Sequence, residues 1–167
     1  MQMQINDAET LYTAAIAKLR SAEQQGLKAY DTMLQKAKSD ELRQAIQKHR
    51  SETEQQVQRL DQILQKAGKS DMTVEDELLP QILRENEKMQ SMIANDQLVD
   101  VSLIAGAQIA EHYEIAAYGT AAAHAKLLGK QDDLKLLLQT LEEEKKTDQL
   151  LTQIAENSVN KRAAAAE

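Results

Sequence analysis

One proline, Pro80, and five glycines in 167 residues leave this chain almost no means of turning. Strand-rich folds need frequent turns built on Gly, Pro, Asn and Asp. Long helices need few, so the chain must run mostly as helices joined by links that are short or themselves helical. The apolar residues point the same way. Phe and Trp are absent and Tyr occurs four times, so the core has to be assembled from Leu, Ile, Ala, Val and Met. These interlock well between helices, and an all-β fold is excluded.

Four stripes recur at three- and four-residue steps, each drawing one face of an amphipathic helix. Asn6, with Glu9 three positions on, reads as an N-cap. The first helix is expected over 7–37, with Tyr12, Ile16, Leu19, Glu23, Leu27, Tyr30 and Leu34 inward. Ser39 or Asp40 caps the second, expected over 40–67, with Leu42, Ile46, His49, Glu52, Gln56, Leu60 and Ile63 inward and Gly68 as the left-handed stop. The third, over 98–128, carries Ile104, Ala107, Glu111, Ile115, Tyr118 and Ala122 and ends at Gly129. The fourth, over 131–159, carries Leu134, Leu137, Leu138, Leu141, Glu144, Asp148, Leu151 and Ala155, and the terminal AAAAE reads as frayed.

Residues 69–97 are more polar and hold Pro80, yet Leu78, Leu79, Ile82, Met89, Met92 and Ile93 suggest helical pieces. Short links within each pair and this long link between pairs predict an all-α, ferritin-like antiparallel four-helix bundle. It would consist of two helical hairpins joined by a long, partly helical crossover, in one domain over 1–167.

The two hairpins look like copies. AEQQGLKAY (22–30) aligns with AEHYEIAAY (110–118), so that Glu23 meets Glu111 and Tyr30 meets Tyr118; the partner helices match Glu52 with Glu144 and Gln56 with Asp148. Each acid interrupts an apolar stripe 12 to 16 residues into its helix, roughly 18–24 Å along the axis at 1.5 Å per residue. Four helices would therefore bring carboxylates to one level. Ionised carboxylates inside a core are costly unless paired, protonated or bound to metal, and His49 is the one residue of the stripes that could carry positive charge.

The candidate metal ligands are Glu23, His49, Glu52, Glu111, Glu114, Glu144 and Asp148, with Tyr30, Tyr118 and Gln56 supporting them by hydrogen bonds. No Glu-x-x-His occurs; the order is His49-x-x-Glu52, so the set is rich in oxygen. His112 is expected at the rim or an interface, His124 in a structural or exposed place, and the run EEEKK (142–146), apart from Glu144, on a solvated face.

Zero Cys excludes a disulfide scaffold and a cysteine-ligated metal. The net charge of -7, with no basic stripe interleaved with aromatics, argues against nucleic acid. The start MQMQINDAETLY has neither a basic nor an apolar leader region, and nowhere do 18 apolar residues run together. A cytoplasmic protein without membrane attachment is the expectation.

The segments SAEQQ (21–25), HRSETEQQVQRLDQI (49–63), AQIAEHYEIAAYGT (107–120) and LEEEKKTD (141–148) resemble the YciE/YciF-like branch of the ferritin-like superfamily. The resemblance spans nearly the whole chain. It implies a ferritin-like bundle, a homodimer, a di-iron centre and an association with bacterial stress responses, but no known reaction. The leading expectation is two iron ions, or manganese, in the bundle core, used for O₂ or peroxide chemistry or for iron oxidation. The alternative is a metal-free helical structural or interaction protein that dimerises through an Ala-rich helix face.

Overall fold

The computed structural model describes residues 4–165, and among them no strand occurs. Helix α1 spans Ala8–Lys36, α2 Asp40–Lys66, α3 Leu78–Ser91, α4 Val99–Leu127 and α5 Gln131–Ile154. A π-helical turn, Ala155–Val159, leads into α6, Asn160–Ala164. Helices α1 with α2 and α4 with α5 form the two antiparallel hairpins, and α1 packs on α4 and α2 on α5 to close the bundle. The crossover contributes α3, which lies along α4 and touches α1.

The sequence expectations hold for the architecture and shift in detail. Asp7, not Asn6, caps α1: its carboxylate accepts from Thr10 N at 2.6 Å. Ser39 precedes α2 as expected but makes no side-chain cap. Instead Lys38 N and Ser39 N both donate to the buried Asp100 carboxylate at 2.8 Å, tying the first hairpin turn to the start of α4. Gly68 (φ 65°) and Gly129 (φ 69°) take the left-handed conformation that ends α2 and α4. Pro80 sits in the first turn of α3, where a missing N–H removes no intrahelical bond.

Two corrections concern the last helix. Leu138, expected inward, is 47% exposed, because Leu137 takes the core position and the neighbour is rotated about 100° away. The tail is less frayed than expected: α6 extends to Ala164 with Ala163 buried, while residues 166–167 lie outside the described part.

Two apolar clusters fill the bundle. One gathers Tyr12, Ile16, Leu60, Ile63, Tyr118 and Leu137; the other gathers Tyr30, Leu42, Ile46, Leu103, Ile104 and Leu151. Burying each such Leu or Ile contributes about 1.5–3 kcal/mol. Between the clusters, at mid-height, lies a buried polar layer of Glu23, His49, Thr53, Gln56, Glu111, Glu114 and Glu144. The apolar halves hold that layer in place, since sliding any helix by one turn would drive acids into the clusters.

Candidate metal centre

The four long helices each send acid or imidazole into the polar layer, because each inward stripe is interrupted there. His49 comes from α2, Glu111 and Glu114 from successive turns of α4, and Glu144 from α5. One ligand atom from each of these four buried residues lies within 4.8 Å of all the others. His49 Nε2 is 3.1 Å from Glu111 Oε1 and 3.5 Å from Glu144 Oε2.

Neighbouring groups aim these side chains. Thr147 Oγ1 lies 3.0 Å from His49 Nδ1. When Nδ1 carries the proton and donates to Thr147, the Nε2 lone pair is left for the cluster. Tyr30 packs edge-on against the imidazole, ring centroids 5.2 Å apart. Gln56 Nε2 donates to Glu144 Oε1, and to Glu143 Oε2 at 3.2 Å. Glu23, buried on α1, accepts the Tyr118 O–H at 2.5 Å.

Other candidates stand further out. Glu52 is partly exposed, 3.1 Å from Lys48 Nζ and 3.8 Å from His49 Nδ1, with one oxygen turned inward. Asp148 is outside the group of four: its Oδ1 accepts from Gln108 Nε2 at 3.0 Å and lies 3.6 Å from the exposed His112. His112 is thus at the rim, and His124 is half-buried.

Two expectations about charge need correction. Arg59 is also buried on the α2 face, so His49 is not its only cationic group. Arg59 makes a two-pronged pair with Glu143, at 2.6 and 2.9 Å, and bonds Thr140 Oγ1 at 3.0 Å. Glu143 is consequently drawn off the solvated face and joins the network through Gln56. Arg59 at three residues from Gln56, and Thr147 at three from Glu144, were legible as inward positions; long or small polar side chains on a stripe are easily passed over.

The electrostatics follow from crowding carboxylates in a dry layer. Burial pushes Glu23 up to about 7 against the pull of the Tyr118 hydrogen bond. Burial likewise holds Glu114 and Glu144 well above the usual carboxylate range, with other acids adding to the rise. Burial lowers the His49 imidazole, but Glu111, Glu52 and Glu144 outweigh it and keep it well above its ordinary value. Glu52 falls, chiefly through its contact with His49.

Hydrogen bonds within the protein leave this layer unsatisfied. His49 Nε2, Glu52 Oε2, Gln56 Oε1, Glu111 Oε2, Glu114 Oε2 and Glu144 Oε2 are buried without a well-aligned hydrogen bond, His49 Nε2 meeting Glu111 and Glu144 through charge alone. Buried polar atoms are rarely orphaned, and six in one layer is a concentration that a bound cation resolves. Carboxylate oxygens with one imidazole are donors that divalent metal ions accept, iron and manganese among them, so the residues fit a metal centre.

A family model described as "Domain of unknown function (DUF892)" matches residues 7–164, and the chain belongs to that family. Protein YciF of Escherichia coli (strain K12) is 54% identical over 78 residues, 47% of this chain and 46% of that protein. That sequence match thus spans about half the length of the curated relative. The crystal structure of the E. coli stress protein YciF superposes with a TM-score of 0.87 at 34% identity, covering 94% of this chain and 99% of the other. YcfI of Rhodopseudomonas palustris, called a candidate structural protein, gives 0.87 at 34% identity over 91% of this chain and 97% of its own. A Xanthomonas campestris protein gives 0.77 at 19% identity over 96% and 99%, a likeness of fold alone.

Proposed function

From membership of this family and the convergence of unpartnered ligand atoms in the core, we propose that the bundle holds a pair of iron ions, with manganese as the alternative. The single observation that carries the reading is the set His49, Glu111, Glu114 and Glu144, buried on three helices with ligand atoms mutually within 4.8 Å. Glu23 from α1 and Glu52, one turn beyond His49 on α2, are the further donors of this reading, and Asp148, held by Gln108, stands at its rim.

Such a pair would supply redox chemistry toward O₂ or peroxide, or the oxidation of further iron, because oxygen ligands favour the more highly charged ion. The protein's own part is to prepare the layer. Tyr118 and Gln56 orient Glu23 and Glu144, Thr147 turns the His49 lone pair inward, and the two apolar clusters exclude water above and below. Because Glu23, Glu114 and Glu144 hold protons more strongly than free carboxyls, metal uptake releases protons and tightens as pH rises. The likeness to the E. coli stress protein supports a role in a stress response.

We also read the protein as a homodimer. Ala105, Ile109, Ala116, Ala123 and Leu127, with His112 and Thr120 between them, form an exposed and mostly apolar face of α4 at helical spacing, suited to a second copy. A second functional reading is a metal-free structural protein, of which the structural part is supported by the description of the R. palustris relative.

Elemental analysis of protein purified without chelator, with Fe²⁺ titration and thermal melting of the wild type and Glu111→Ala, decides between them. About two ions per chain, with a stabilisation that the variant loses, is the outcome expected of a carboxylate-bridged bundle. No uptake and no stabilisation would leave the structural reading. If two ions bind but peroxide is not consumed and Fe²⁺ is not oxidised, the centre stands and the catalytic part fails.

A further inference from the structure

A cavity of about 370 Å³ opens between α1, α3 and α4. Small residues keep it open: Gly26 and Ala29 from α1, and Ala107 and Ala110 from α4, opposite Leu79 and Leu83 of α3. At Gly106 the α3 helix is seated closely on α4, since a Cβ there would lie 2.5 Å from Asn86 Nδ2. Protein interiors ordinarily fill such space, and this volume is in the range of small-molecule pockets.

The two ends of the cavity differ in charge. The inner end reaches Glu111 and Glu114, each 1% exposed and each with an unpartnered Oε2, beside Tyr30. The mouth is lined by Lys28 and Lys36 of α1 and by Glu87 and Gln90 of α3, with Lys36 Nζ donating to Gln90 Oε1 at 2.9 Å. With two lysines against one acid at the mouth and two acids at the inner end, an anionic group is favoured at the mouth over the inner end, while the apolar walls between favour hydrocarbon.

We infer that this cavity binds an amphipathic monocarboxylate, with its carboxylate on the lysine-lined side, at Lys28 or Lys36, and its hydrocarbon chain directed toward Glu111 and Glu114. Binding follows from the shape and charge of the cavity and is independent of the metal reading above.

Calorimetric titration with decanoate, decanol and decyltrimethylammonium tests the assignment, with Fe²⁺ titration run in parallel on the same protein. Decanoate is expected to bind more tightly than decanol, and the ammonium compound least. The surface double variant Lys28→Glu/Lys36→Glu should weaken decanoate roughly ten-fold while leaving decanol unchanged, as reversal of both lysine charges implies. Ala29→Phe, which fills the cavity, should abolish binding of both without altering the helical melting curve. Absence of decanoate binding to the wild type, or binding indifferent to the lysine variant, overturns the proposal. Decanoate binding without Fe²⁺ uptake supports the cavity and removes the metal reading; Fe²⁺ uptake without decanoate binding does the reverse.

Discussion

Tyr118 of α4 donates its phenolic O–H to Glu23 of α1, 2.5 Å away and 95 positions earlier in the chain. The internal repeat pairs Tyr118 with Tyr30 and Glu23 with Glu111, so a symmetric bundle would send Tyr30 to Glu111. Tyr30 instead packs edge-on against His49, which has no histidine counterpart in the second hairpin. The single imidazole breaks the symmetry of the layer and makes one tyrosine a hydrogen-bond donor and the other a wall.

Removing the Tyr118 hydroxyl leaves Glu23 buried and unpaired. Tyr118→Phe is expected to cost about 1–3 kcal/mol in urea denaturation of metal-free protein. The cost should be larger at pH 8 than at pH 6, because the bond is strongest when Glu23, whose value is about 7, is ionised. Equal stability of variant and wild type at both pH values would show that the bond contributes nothing.

Metal-free stability should depend on pH in a direction opposite to that of most proteins. Glu23, Glu114 and Glu144 have folded-state values raised above the unfolded carboxyl value, chiefly by burial. Between the two values the folded state binds more protons than the unfolded, so unfolding free energy falls as pH rises. The His49 imidazole, also raised, acts in the same sense above its unfolded value. Urea midpoints in chelator should therefore decline from about pH 5 to pH 8, and saturating Fe²⁺ should reverse the trend. A flat or rising profile in chelator would refute the protonated layer.

The central acids and the rim acid should respond differently to substitution. Glu111→Ala and His49→Ala should lose the stabilisation by Fe²⁺, about 2.7 kcal/mol at a hundred-fold excess over Kd. Asp148→Asn should retain it, since that carboxylate is engaged by Gln108 outside the group of four. Equal loss in Asp148→Asn, followed by thermal melting, would move Asp148 into the centre.

The crossover depends on one buried acid. Asp76 is fully buried; its Oδ1 accepts from Leu79 N at 2.7 Å, capping α3, and its Oδ2 accepts the Tyr113 O–H and lies 3.5 Å from Lys18 Nζ. Asp76→Ala removes a helix cap and strands the Tyr113 hydroxyl, a loss of about 2–4 kcal/mol from the two contributions together. Hydrogen exchange should show α3 opening before the four long helices; uniform protection would count against this anchoring.

What the chain order determined by itself was the helices, their inward faces and the level of the acids. Periodicity at 3.6 residues and two left-handed glycines depend on local geometry alone, so the ranges of α1, α2, α4 and α5 were legible to within a residue or two, apart from the π turn that interrupts the last. Glu23, His49, Glu111, Glu114 and Glu144 were likewise legible as inward positions, because a face is a property of one helix. Which inward groups meet was decided by the tertiary structure. Rotation and stagger of packed helices brought Glu114 beside His49, carried Asp148 to the rim, and drew Glu143 inward to Arg59. The seating of α3 over α4, and with it the cavity beside Glu111 and Glu114, was decided there too. Contacts between elements far apart in the chain depend on how whole surfaces fit, and no single stripe records that fit.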